Sequence, residues 1–327
     1  MPSLAALEAA ADIVYTVLRP TPQICWPLLS ERAGCEVWVK HENHTPIGAF
    51  KIRGGIVYLT ELLRSTPHPN GIVTPTRGNH GQSVAFAARR LGVKATVVVP
   101  RGNSGEKNAA MRAFGADLIE HGEDFQDAYE HAERLAAERA LHFWRTWDPV
   151  LVRGVASYGL EFFRAVPDLD TIYVPIGHGS GICGLIAARD ALGLKTRIVG
   201  VVAERYPAYA LSFAAGKPVS TGPGETVADG VACRVPDPRA VEVIRQGAER
   251  VVAIPEDEIV AAIRAYFSDT HNLAEGAGAL PLAALLMEKG RMAGRKVGLV
   301  LTGANIDLAV FKSVVNQQTQ NMPTTSV

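Results

Sequence analysis

A chain of 327 residues, 47% hydrophobic and 20% charged, has the composition of a soluble globular protein with an ample core, in one large domain or two ordinary ones. Lys plus Arg equals Asp plus Glu at 33 each, so nothing favours nucleic acid or anionic lipid, and the expected partner is a small molecule. No apolar run approaches bilayer length, and the start carries Glu8 and Asp12 without a basic lead, so neither a membrane span nor a signal peptide is expected. Cys25, Cys35, Cys183 and Cys233 are scattered, without CxxC spacing, and read as reduced thiols of a cytoplasmic protein.

Short β-branched runs alternate with alanine-rich stretches. In chain order EVWVK (36–40), GIVTPT (71–76), ATVVVP (95–100), ADLIEH (116–121), TIYVPI (171–176), RIVGVVAE (197–204) and KVGLVLTG (296–303) read as strands. They are apolar on both faces, as strands are when helices cover each side. Between them GQSVAFAARRLG (81–92), NAAMRAFG (108–115), DAYEHAERLAAERA (127–140) and CGLIAARDALG (183–193) read as helices, several closed by glycine. The pattern predicts an α/β protein with open, largely parallel sheets flanked by helices. The polar tail from Val315 is expected to fray and to leave no room for a further regulatory domain.

Lys51 lies in HENHTPIGAFKIRGG (41–55), after Phe50 and before two glycines. An ammonium held among apolar groups loses hydration, which lowers its pKa and yields a usable amine. The plain alternative is a surface lysine between a turn and a helix.

Two glycine-rich loops follow predicted strands and open helices: Thr76 to Gly81, and Gly177 to Gly181. Glycine lets backbone N–H groups approach a ligand, and the helix N-terminus behind them favours negative charge. Each loop is a candidate for phosphate or carboxylate. The second also matches G-x-G-x-x-G from Gly179 to Gly184, with Glu204 twenty residues further on, which is the dinucleotide fingerprint. A dehydrogenase therefore competes on this segment, although it leaves Lys51 and the Asn79 loop without a purpose. Thr302, in GLVLTGANIDL, puts a hydroxyl at the carboxyl end of a buried strand, where ligands bind in open α/β sheets. On its own it reads equally as a turn.

Taken together, the segments resemble the fold-type II pyridoxal-phosphate enzymes, the tryptophan synthase β-like group that holds the threonine dehydratase and serine racemase family. TPQ at Thr21 stands where the family has T-P-L, GAFKIRGG where it has G-S-F-K-x-R-G, and TRGNHGQSVAFAA where it has S-S-G-N-H-G. VPIGHGSGICGLIAA is similar to its phosphate loop, and ETVADGVA, LAEGAGA and LTGANIDL to three further blocks. Seven blocks in register displace the dinucleotide reading.

The resemblance implies pyridoxal 5'-phosphate as cofactor, with Lys51 as the Schiff-base lysine and Phe50 packed on the pyridine ring. It implies Asn79 on the 3′ oxygen, Gly177, His178, Gly179, Ser180 and Gly181 on the phosphate, and Thr302 on the pyridine nitrogen. A hydroxyl there, unlike a carboxylate, does not keep that nitrogen protonated, which favours prompt loss of a β-substituent. Thr76, Arg77, Gly78 and His80 form the substrate-binding segment by the same resemblance, with His80 also bracing its loop. The implied reaction is α,β-elimination from a β-hydroxy amino acid to a 2-oxo acid and ammonia, Lys51 taking the Cα proton. Threonine or serine is the default substrate, with 3-hydroxyaspartate or phenylserine as possibilities. β-Replacement and racemisation are the alternatives within the family, and a non-catalytic sensor lies outside them. The resemblance also implies a homodimer, a large domain of residues 1–62 plus 148–327, and a small domain of 63–147 with the cofactor between them.

The chain departs from the family pattern at three places. Arg77 stands where serine is usual and where racemases keep their second base; arginine stays protonated, so racemisation through it is not expected. Its planar fork suits a substrate carboxylate or a second anionic group, against the plain alternative of an arginine turned to solvent. His178 interrupts the glycines of the phosphate loop. Glu204 and Ala208 occupy two positions of the divalent-cation site of many relatives, but Ala210 replaces its aspartate, so metal is expected to be dispensable.

Overall fold

The computed structural model describes residues 2–67 and 69–316. The tail expected to fray lies, from residue 317 on, outside the described residues. The described residues form ten strands: β1 Gln23–Cys25, β2 Glu36–His41, β3 Ile72–Pro75, β4 Ala95–Val99, β5 Asp117–Glu120, β6 His142–Phe143, β7 Thr171–Pro175, β8 Arg197–Ala203, β9 Arg250–Ile254 and β10 Lys296–Leu301. They form a six-stranded sheet in the order β1-β2-β10-β7-β8-β9 and a four-stranded sheet in the order β5-β4-β3-β6. Every neighbouring pair is parallel except β1 with β2. The α/β plan with largely parallel, helix-covered sheets is therefore the observed fold, and all seven strands read from the sequence belong to it.

Parallel strands buried on both faces must be apolar throughout, and β3, β7 and most of β8 and β10 are buried at every position. β1, β6 and β9 carry weaker signals. The first two have three and two residues, and β9 is a half-exposed sheet edge. The helix Gly276–Met287 is buried from Gly276 to Leu285, so it shows no amphipathic period and fills one side of the large sheet as core.

The helix that begins at Lys51 is held unusually firmly. Its Gly54 faces Gly154 of the helix Pro149–Ala165, where an added Cβ would come within 2.6 Å of the Arg53 carbonyl oxygen. Only glycine permits that approach of two helices. Arg53 is fully buried and donates to Glu42 from Nε at 2.7 Å and to Glu161 from Nη1 at 2.6 Å. Lys40 Nζ donates to Glu161 Oε2 at 2.5 Å, which balances two buried cations against two carboxylates. Burial pushes the Glu42 carboxyl upward, but Arg53 and Lys40 outweigh it and hold the group below its ordinary range. The cluster ties the first turn of the helix to the end of β2 and so fixes where Lys51 starts.

Candidate active site

One cavity opens at the carboxyl ends of the strands of both sheets, where parallel α/β sheets bind their ligands. It brings together Phe50, Lys51, Thr76, Arg77, Gly78, Asn79, His80, Gly177, His178, Gly179, Ser180, Gly181 and Thr302, so every site residue read from the sequence lines the same space. The sequence reading did not assign site roles to Lys107, Phe125, Thr146, Asp229, Cys233 and Glu275, which line it as well. For Glu275 and Asp229 the blocks LAEGAGA and ETVADGVA were usable signals; the others come from separate segments that only the fold joins.

Lys51 is the first residue of its helix, and its Nζ donates to Ser180 Oγ at 3.0 Å and lies 5.0 Å from the Phe50 ring centroid. Burial lowers its pKa to about 8, so a sizeable fraction of neutral amine exists near neutral pH. The segment before it is pinned to the end of β10. Ala49 bridges Gly303, the Phe50 amide donates to the Thr302 carbonyl oxygen at 3.0 Å, and the Ala304 amide donates to Gly48 at 3.0 Å. The Thr302 hydroxyl, in the same turn, faces the cavity and makes no hydrogen bond to a described residue.

Asn79 begins the helix Asn79–Leu91 and is fixed on both sides of its amide: Nδ2 donates to Glu275 Oε1 at 2.7 Å, and Oδ1 accepts from Asn305 Nδ2 at 2.7 Å. Glu275 Oε2 is buried without a partner, and burial raises the carboxyl to about 7, the nearby Lys107 opposing. Thr76 Oγ1 accepts from the amides of Gly78 and Gly81 at 3.0 and 3.1 Å, which shapes the turn before the helix. His80 turns its ring to Thr74 Oγ1 at 3.0 Å and edge-on to Trp144, so its side chain braces the loop.

The second loop is built to receive an anion. Gly179 has φ +93°, and a Cβ on Gly177 would meet the Gly230 carbonyl oxygen at 2.6 Å. The backbone N–H groups from Gly177 to Gly181 donate to no described residue and end at the N-terminus of the helix Ser180–Ala191. His178 adds no charge to this nest. Burial and the neighbouring Lys51 lower its pKa to about 4, its ring lies 5.4 Å from that of Phe125, and Nδ1 is 3.8 Å from Cys233 Sγ. Burial pushes the Cys233 thiol up to about 12, so it is no nucleophile at neutral pH. Across the cavity Lys107 pairs with Asp229, and Asp229 with Glu275 outweighs the effect of burial and raises the lysine's pKa.

A desolvated primary amine, an aromatic ring beside it, a nest of unused amides at a helix N-terminus and a free hydroxyl form a set of contacts that fits an aldehyde-bearing aromatic phosphate. The fold and site thus define an α/β enzyme that holds such a cofactor at the carboxyl ends of two parallel sheets. Residues 14–303 match the family described as pyridoxal-phosphate dependent enzyme, and the chain belongs to that family. The L-threonine ammonia-lyase of Geobacter sulfurreducens is 36% identical over 312 residues, covering 95% of this chain and 77% of that one. The processed form of threonine deaminase isoform 2 from Solanum lycopersicum superimposes with a TM-score of 0.88 at 28% identity, covering 96% of this chain and 94% of that one. Maize serine racemase gives a TM-score of 0.89 at 25% identity, covering 97% and 98%.

Proposed function

We propose that the protein is a pyridoxal-phosphate-dependent ammonia-lyase that converts a β-hydroxy amino acid to a 2-oxo acid and ammonia. The observation that carries this reading is the placement of Lys51. Its amine, brought to a pKa of about 8 by burial, points at Ser180 and faces the same cavity as two helix N-termini. When bound, the cofactor supplies an electron-withdrawing ring conjugated to the substrate's Cα, which acidifies the Cα proton.

The chain's own groups divide the remaining work. Lys51 would hold the cofactor through its amine, and that amine, locally desolvated, would accept the Cα proton as the base. Gly177, His178, Gly179, Ser180 and Gly181 hold the phosphate through their free amides, with the helix dipole behind them. Asn79, oriented by Glu275 and Asn305, offers its remaining N–H to the ring oxygen. Thr302 offers its hydroxyl to the ring nitrogen without forcing it to stay charged. Thr76, Arg77, Gly78 and His80 make up the loop that receives the substrate.

Racemisation is the weaker reading, because Arg77 holds the place where a second base is needed and a guanidinium cannot accept a proton. The two sheets are taken to mark a large domain of residues 1–62 plus 148–327 and a small one of 63–147. The family resemblance supports a homodimer. The free thiols Cys25, Cys35, Cys183 and Cys233 support a cytoplasmic setting.

The test is a panel of β-hydroxy amino acids of both stereochemistries, assayed for 2-oxo acid and ammonia, with borohydride trapping and mass spectrometry to locate the cofactor. The expected result is stoichiometric 2-oxo acid and ammonia, and a pyridoxyl adduct on Lys51. An adduct on another lysine, or racemised amino acid without ammonia, refutes the reading.

A further inference from the structure

Arg77 is a cation that no described residue of the site balances. Its guanidinium makes no hydrogen bond or ion pair with a described residue, and its Nε is buried without a partner. The other fixed cation of the cavity, Lys107, is already neutralised by Asp229. A substrate's α-carboxylate has its own receptor, since the amides of Asn79 and His80 open the helix Asn79–Leu91 toward the cavity and donate to no described residue. An unmatched, partly desolvated guanidinium is costly to hold, and the cost is offset when an anion reaches it.

Arg77 also stands at a junction. The central cavity continues into a second one, and both are lined by Arg77, Phe125, Thr146, His178 and Cys233. The walls of the second cavity mix aromatic and proline residues, Tyr129, Trp147 and Pro236 among them, with the charged Asp124, Arg145, Arg234 and Asp237. Space therefore continues beyond the reacting centre, and a free bidentate donor guards its entrance. A methyl or hydrogen on the β-carbon would use neither.

Resting on the lyase reading above, we propose that Arg77 determines specificity and that the preferred substrate is a 3-hydroxy amino acid whose β-carbon carries a second carboxylate. The guanidinium binds that carboxylate at the entrance to the second cavity, while the helix N-terminus at Asn79 keeps the α-carboxylate.

Two measurements test this. The first compares kcat/KM for 3-hydroxyaspartate and for threonine, which has a methyl where the other has a carboxylate, in the holoenzyme and in Arg77→Gln. The holoenzyme is expected to favour 3-hydroxyaspartate at least tenfold, and the variant to reduce that ratio by at least thirtyfold. A preference for threonine, or an equal loss on both substrates, overturns the proposal; the equal loss would place Arg77 on the α-carboxylate. The second measurement titrates the holoenzyme calorimetrically with succinate and with butyrate, which lacks the second carboxylate. Succinate is expected to bind at least tenfold more tightly, with the advantage lost in Arg77→Gln; equal binding of the two overturns the assignment. If no 3-hydroxy amino acid yields a 2-oxo acid, the lyase reading fails and the substrate assignment falls with it, whereas the succinate titration still reads the arginine alone.

Discussion

Replacing Arg53 with methionine removes the centre of the buried charge cluster beneath Lys51. Arg53 and Glu42 are 0% exposed and Glu161 is 8% exposed, and the guanidinium donates to both carboxylates at 2.6 to 3.0 Å. After the change Lys40 alone faces two buried carboxylates, leaving one uncompensated negative charge. Breaking a buried pair from one side costs about 3–5 kcal/mol. At roughly 2.1 cal/mol/K per residue, a 327-residue chain unfolds with about 0.7 kcal/mol/K of entropy, so Tm is expected to fall by about 4–7 °C. Scanning calorimetry of the cofactor-free protein reads this directly. Adding Glu42→Gln to the same variant restores charge balance between Lys40 and Glu161 and is expected to recover part of the loss, which independent sites would not do. A fall below about 2 °C, or a double variant that loses the full sum of both changes, would show that the cluster is not coupled as its geometry indicates.

Three more outcomes are expected. Glu275, with its carboxyl raised to about 7 from 4.5, keeps a proton in the folded chain that the unfolded chain has released, so its contribution to stability falls as pH rises from about 4.5 to 7 and is constant above. The stability of Glu275→Gln relative to the parent should therefore grow across that window in urea titrations, and a difference independent of pH would remove the assignment. Gly177→Ala places a methyl 2.6 Å from the Gly230 carbonyl oxygen, which is backbone and has no rotamer to yield, so cofactor affinity measured by fluorescence quenching should drop at least tenfold. An unchanged affinity would mean that this loop does not contact the phosphate. Because the neutral amine is the nucleophile and burial brings Lys51 to about 8, cofactor reloading of the stripped protein should accelerate about tenfold per pH unit below that value and level off above it. A rate still climbing at pH 10 would indicate an ordinary exposed lysine.

The central strands were legible because both of their faces are buried: a strand such as TIYVPI has no polar side to show, and its uninterrupted apolar run marks it. The glycine loops were legible because close backbone approach admits one residue type, as at Gly177 and Gly179. β1, β6 and β9 escaped notice because two of them have only three and two residues and the third lies half-exposed at a sheet edge. Lys107 was silent for a different reason. It is an unremarkable charged residue in its own segment, and it acquires a role only by pairing across the cavity with Asp229 of the block ETVADGVA.

The sequence by itself determined the α/β plan, the amine at Lys51 and the two loops that favour anions, because periodicity, glycine and local side-chain chemistry act within a few neighbouring residues. Tertiary structure decided which charges remain unbalanced. Arg53 lies two residues beyond Lys51 yet is neutralised by Glu42 and Glu161, whereas Arg77 has no such partner among the described residues. Charge balance is a property of space over a few ångströms, and only folding brings residues 42, 53 and 161 within that distance.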